Sequence, residues 1–215
     1  MKRAAALAIM LAVCLALAPL HRIEAEPRAP VIVAFGDSLT AGLGLPQDEA
    51  FPAQLEAALK ARGTDVTVVN AGVSGDTALA ASKRLDWALP EDAGAVIIEL
   101  GGNDALQGIP PEGTKAALGT IIEKVQARGL PILLAGQEAP RNMGKDYVEE
   151  FRALYADLAA RYGVIFYPFF LDGVALNDGL IQADGIHPNA KGVAAIVENI
   201  LPKVEELLAK VRAKD

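Results

Sequence analysis

Apolar, β-branched runs alternate with amphipathic stretches along most of the chain. Val31-Ile32-Val33-Ala34-Phe35, Val66-Thr67-Val68-Val69 and Ala95-Val96-Ile97-Ile98-Glu99-Leu100 predict three buried strands. Ile132-Leu133-Leu134-Ala135 and Val164-Ile165-Phe166-Tyr167 predict a fourth and a fifth. Between the strands, apolar residues recur at helical spacing. Phe51, Leu55, Ala58 and Leu59 fall on one face, and a second helix is predicted over about 78–88. Leu118, Ile121, Ile122 and Val125 stripe a third helix. Val148, Phe151, Leu154, Tyr155, Leu158 and Tyr162 stripe a fourth. The last carries Val193, Ile196, Val197, Ile200 and Val204, with Pro202 expected to kink or restart it.

Continuous apolar strands alternating with helices imply a parallel sheet covered on both faces. Right-handed crossovers then give an α/β fold, a three-layer α/β/α sandwich around a five-stranded parallel sheet. In such sheets ligands sit outside the carboxyl ends of the strands, so the segments just after each strand are the ones to inspect.

The first residues follow a different pattern. Met1-Lys2-Arg3 is a short positive start, and residues 4–20 are almost entirely apolar. This predicts a secretory signal peptide over residues 1–25, cut after Ala25, with a single domain over 26–215. An uncleaved anchor is the alternative, but the apolar run is at the lower limit for spanning a bilayer and Pro19 interrupts its end. The expected destination is the periplasm or the medium.

Composition narrows the chemistry. The 215 residues carry a formal charge of −7 and are 52% hydrophobic, enough for a full core. The acidic balance argues against nucleic acid, which needs a basic face. Removing residues 1–25 takes away Cys14 and His21, leaving no cysteine and one histidine, His187. A zinc site or a thiol nucleophile is therefore not expected, no cofactor is indicated, and a monomer is the default. Chemistry that needs an imidazole must use His187.

The polar and glycine-rich content collects after the strands. Gly36-Asp37-Ser38-Leu39-Thr40 follows the first, and Asn70-Ala71-Gly72-Val73-Ser74-Gly75-Asp76-Thr77 the second. Gly101-Gly102-Asn103-Asp104 follows the third, and Asp184-Gly185-Ile186-His187-Pro188-Asn189 comes shortly after the fifth. Acyl transfer needs a nucleophile, an imidazole base, an orienting carboxylate and donors for the oxyanion. Ser38 sits on a strand-to-helix turn. Asp184, three residues before His187, can reach Nδ1 and leave Nε2 free for the Ser38 proton. Gly75 can bring a backbone N–H close, having no Cβ in the way, and Asn103 can donate from its amide. The Ser38 N–H is a third donor. Asp37, Asp76 and Asp104 read as acceptors that fix loops, not as acids or bases.

These four blocks, in this order and spanning essentially the whole exported chain, resemble the SGNH, or GDSL, hydrolase superfamily. Within it the chain is most similar to small secreted bacterial enzymes with thioesterase, protease and lysophospholipase activities, and to their arylesterase relatives. The resemblance implies a flavodoxin-like SGNH fold with Ser38, Asp184 and His187 as the triad. It also implies an oxyanion hole of Ser38, Gly75 and Asn103. Residues 105–111 become a mobile lip over the acyl chain. Leu43, Leu106, Ile109, Pro110 and Ile186, with Leu45 and Ile181, are then candidates to line an apolar slot. The expected substrates are small-molecule esters, thioesters or lysophospholipids with medium or long acyl chains, with transient contact to lipid aggregates. A carbohydrate O-acetylesterase of the same fold is the nearest alternative. An acyltransferase and a silent binding module are further ones.

Overall fold

The computed structural model describes residues 29–213, so the signal peptide expected over 1–25 lies outside the described residues. Five parallel strands, β1 (Val31–Gly36), β2 (Thr67–Gly72), β3 (Ala93–Glu99), β4 (Ile132–Ala135) and β5 (Ile165–Tyr167), form one sheet in the order β2-β1-β3-β4-β5. The helices are α1 (Ser38–Ala41), α2 (Phe51–Ala61), α3 (Ala78–Ala88), α4 (Gly102–Leu106), α5 (Pro111–Ala127), α6 (Lys145–Tyr162) and α7 (Ala190–Arg212).

Strand alternation sorts the core into two layers. Ile32, Ala34, Ala95, Ile97, Leu133 and Ala135 point to one face, where α2 and α7 cover them. Val33, Phe35, Val96, Ile98, Ile132 and Leu134 point to the other, under α3, α5 and α6. The three-layer sandwich expected from the apolar pattern is the architecture found.

Two local expectations are corrected. β2 runs further than the apolar run Val66–Val69, through Asn70-Ala71-Gly72, because register with β1 holds as far as Gly36↔Gly72. As an edge strand it is half polar, and its Val68 N–H is capped by the Glu56 carboxylate of α2 at 2.7 Å. Second, α7 passes through Pro202 as one helix and does not restart there. Pro202 is exposed while its neighbours Leu201 and Val204 are buried. The hydrogen bond that proline removes therefore lies on the watered side, and the buried face holds the helix together.

The register of β1 and β3 brings the ends of the two central strands side by side, Gly36 opposite Glu99. There the glycine is obligatory: a Cβ on Gly36 would collide with Thr40 Oγ1 and with the carbonyl and carboxylate of Glu99. This close approach turns the chain sharply into α1 and sets where Ser38 stands.

Candidate active site

Asp37 caps α1. Its Oδ1 accepts the Leu39 N–H at 3.0 Å, which places Ser38 at the first helical position. Ser38 is nearly buried, and its Oγ lies 2.9 Å from His187 Nε2. His187 Nδ1 lies 2.6 Å from Asp184 Oδ2. The other oxygen of Asp184 accepts the backbone N–H groups of Ile186 at 2.9 Å and His187 at 3.0 Å. Those two N–H donors, followed by the imidazole, hold the Asp184 carboxyl down at about 2. The structure thus brings Ser38, His187 and Asp184 into one line, from two segments almost 150 residues apart.

The histidine loop is anchored to the serine loop. Gln182 Nε2 donates to the carbonyls of Leu43 at 2.8 Å and Pro188 at 2.9 Å, and the Gln182 N–H donates to the His187 carbonyl at 2.7 Å. An antiparallel bridge between Ile181 and Pro188 closes the turn.

Gly75 and Asn103 border the same cleft. Gly75 has φ +88, and a Cβ there would meet no protein atom within 4 Å. Its left-handed backbone favours glycine at this position. Asn103 donates one amide hydrogen to Asp37 Oδ2 at 3.1 Å and the other to the Asp76 carbonyl at 3.0 Å. Its amide therefore stands at the cleft already oriented, wedged between the nucleophile turn and the Gly75 loop.

The three flanking aspartates are acceptors, as their positions suggested. Asp104 accepts the Ala78 N–H at 2.9 Å and the Thr114 hydroxyl at 3.0 Å, tying α3 and α5 to the Asn103 turn. Asp76 pairs with Arg84 Nε. The same guanidinium, stacked on Phe35, donates to the carbonyls of Ala71 at 3.0 Å and Gly36 at 2.9 Å. Asp37 is buried, and desolvation pushes its carboxyl up to about 6, against the pull of the Leu39 N–H and His187. Beneath it Glu99 is fully buried and pushed up by burial and by the Asp37 charge. Glu99 accepts the Thr40 hydroxyl at 2.7 Å and the Gln137 amide at 2.6 Å.

The cleft is a cavity of about 320 Å³, at the lower end of the range for small-molecule sites. Leu43, Leu106 and Ile186 line it. Ile109 and Pro110 do not: the Ile109 carbonyl accepts the Tyr147 hydroxyl at 2.8 Å, and Pro110 is the N-cap residue just before α5. Leu45 and Ile181 pack against the core instead. The wall is completed by Leu39, Pro140 and Leu171, and by Gln137 and Glu138 from the segment after β4. Gly136-Gln137-Glu138 carries no recognisable motif. The carboxyl-edge rule applied to the fourth strand would have pointed to it.

A serine hydroxyl, an imidazole and a carboxylate in line can pass a proton from Ser38 to His187 with the tautomer fixed by Asp184. Among the described residues no group of three or more His, Cys, Asp or Glu is placed to hold a metal ion.

Comparison with known proteins identifies the family. Residues 34–195 match the sequence model of the GDSL-like lipase/acylhydrolase family. Esterase TesA of Pseudomonas aeruginosa is 40% identical over 202 residues, 94% of this chain and 99% of the relative. Thioesterase 1/protease 1/lysophospholipase L1 of Escherichia coli K12 is 35% identical over 84% of this chain and 86% of the relative. The crystal structure of the psychrotrophic esterase EstA from Pseudoalteromonas, inhibited by monoethylphosphonate, superposes with a TM-score of 0.79 at 30% identity. That superposition covers 83% of this chain and 98% of EstA.

Proposed function

The chain belongs to the GDSL-like lipase/acylhydrolase family and is an esterase of that type; from this premise we propose that it is an exported serine hydrolase of medium and long acyl esters and thioesters, lysophospholipids among them. The observation that carries the reading is the Ser38–His187–Asp184 line opening into a largely apolar cavity. Export rests on the signal-peptide pattern of residues 1–25. Among the described residues no helix is long and apolar enough to cross a membrane.

Ser38 Oγ attacks the acyl carbonyl while its proton passes to His187 Nε2. The negative charge that develops on the carbonyl oxygen is met by the N–H groups of Ser38 and Gly75 and by the Asn103 amide. Asn103 shares one of its hydrogens between Asp37 or Asp76 and the oxyanion. Collapse of the tetrahedral intermediate breaks the ester or thioester bond. His187 gives its proton to the leaving alcohol or thiol, leaving an acyl ester on Ser38. Water then attacks that ester, His187 takes its proton, and the acid leaves as Ser38 regains its hydrogen. Asp184 stays ionised throughout and holds the imidazole in one orientation.

Leu39, Leu43, Leu106, Leu171 and Ile186 supply an apolar wall that favours an acyl chain over an acetyl group. The test is a series of p-nitrophenyl esters from acetyl to palmitoyl on purified protein, with Ser38→Ala alongside. A Ser38-dependent maximum between hexanoyl and lauroyl is expected. Activity confined to acetyl esters would overturn the acyl-chain reading. Ester turnover unchanged in Ser38→Ala would overturn the mechanism.

A further inference from the structure

Large apolar side chains left exposed in the described part of the protein gather on one edge. Leu43, Val73, Leu106, Leu176 and Ile186 lie on segments that follow the strands, and Leu79 lies in the first turn of α3. Only Trp87, in the last turn of α3, is exposed elsewhere. Three of the six border the cleft and the other three lie on neighbouring segments of the same edge. Leu43, Leu106 and Ile186 line the cleft, and Val73 stands two residues before Gly75. Leu79 follows Ala78, whose N–H is bound by the Asp104 carboxylate next to Asn103. Leu176 shares a depression with Gln182, the residue that ties the histidine loop to Leu43.

Leu176 adds an independent sign. It is 84% exposed, and among the described residues it is the sole non-glycine with a positive φ, at +62. A leucine in the left-handed region is strained, and one that gains no burial in return is not there for the fold. The backbone turns it outward.

Charge says which surface such an edge fits. Asp48, Glu138, Asp172, Asp178 and Asp184 are exposed on the segments that follow the strands, against Arg141 there and Lys145 and Lys191 in the first turns of α6 and α7, so the edge is acidic on balance. An anionic surface would be repelled, whereas an uncharged or zwitterionic one is not.

We propose that this edge docks on a zwitterionic lipid surface, with Leu43, Val73, Leu79, Leu106, Leu176 and Ile186 seated at its acyl boundary. The cavity mouth then faces the lipid, and an acyl chain passes from the aggregate into the cleft without crossing water. The proposal rests on the acyl-ester reading of the site and supplies the route by which an aggregated substrate reaches it.

Leu79 and Leu176 lie outside the cavity lining, so both can be changed without altering the cleft. The test variant is Leu79→Ser with Leu176→Gly. The glycine relieves the left-handed strain, so the fold should hold or gain stability on melting. Co-sedimentation with sucrose-loaded phosphatidylcholine vesicles, with and without phosphatidylserine, is measured for wild type, the variant and Ser38→Ala. Hydrolysis of a soluble short p-nitrophenyl ester is followed in parallel. Wild type and Ser38→Ala should partition equally onto phosphatidylcholine, and less as phosphatidylserine is added. The double variant should partition about tenfold more weakly while its soluble-ester turnover is unchanged. Absent wild-type partition, undiminished partition of the variant, or tighter binding to phosphatidylserine overturns the proposal. So does a wild-type dimer that forms without vesicles and is lost in the variant, because the edge would then be covered by a second copy. Failure of soluble-ester turnover in wild type would instead overturn the hydrolase reading, since partition is read independently on Ser38→Ala.

Discussion

Asp37 precedes the proposed nucleophile by one residue and Asp184 precedes the proposed base by three, yet the two carboxyls are pushed in opposite directions. Asp37 is buried at the end of the central strand, among Asp76, Asp104 and Glu99, and is raised to about 6. Asp184 stands half exposed on a loop, receives two backbone N–H groups and an imidazole, and is lowered to about 2. The contrast extends to everything around them. The serine side is a buried framework in which Thr40, Asn103, Gln137, Arg84 and Thr114 lock strand ends to one another through carboxylates. The histidine side is a surface turn, held by Gln182 and by Asp184 itself. The rigid half sets where the acyl carbon must go. The loop half needs only to present one nitrogen, and a carboxylate that is solvated and hydrogen-bonded stays ionised there without help.

The largest expected effect falls equally on both halves. Ser38→Ala and His187→Ala should each lower kcat on unactivated esters by roughly 10⁴-fold or more, because the pair acts as a unit. Retention of near wild-type kcat in either would dissolve the comparison by removing its catalytic line. On the loop side, Asp184→Asn should lower kcat by about 10³–10⁴-fold with the melting temperature at pH 7 little changed, since the turn is exposed. A large loss of stability would mean that the loop is as structural as the framework.

On the framework side, Asn103→Ala should lower kcat by about 10²–10³-fold on the same esters. Gly36→Ala should act on stability first, costing about 2–4 kcal/mol in denaturant unfolding, because its Cβ has no room against Thr40 and Glu99. A Gly36→Ala protein as stable as wild type would show the framework to be looser than its packing implies.

The smallest effect separates the halves by pH. For Asp37 the folded value is raised, so its contribution to stability is full below about pH 4 and is lost as pH rises through 6. For Asp184 the folded value is lowered, so its contribution is present above about pH 4 and is lost as pH falls toward 2. Melting curves should show Asp37→Asn gaining on wild type between pH 4 and 7, and the small deficit of Asp184→Asn, screened by solvent at this exposed turn, vanishing between pH 4 and 2. Parallel pH profiles for both variants would contradict the opposite environments.

Read from residues alone, the protein was legible wherever the signal is local. Alternation of two and recurrence of three to four follow from backbone geometry, so the strands and the five longer helices could be placed, β4 to the residue. Short-range spacing also put Asp184 within reach of His187, and Ser38 on a strand-to-helix turn. Strand order, register and wall were decided by the tertiary structure. Only the pairing of Gly36 with Glu99 explains why a carboxylate is buried beneath the serine. Only the folded loops show that Gln137 and Glu138 enter the cleft while Ile109 and Pro110 leave it. Arg84, on an otherwise ordinary helix, gave no sign that it would bridge two strand ends and Asp76. The physical reason is range. Periodicity and turn chemistry are properties of neighbours in the chain, whereas a cavity wall and a buried charge belong to residues that meet only after the sheet has chosen its order.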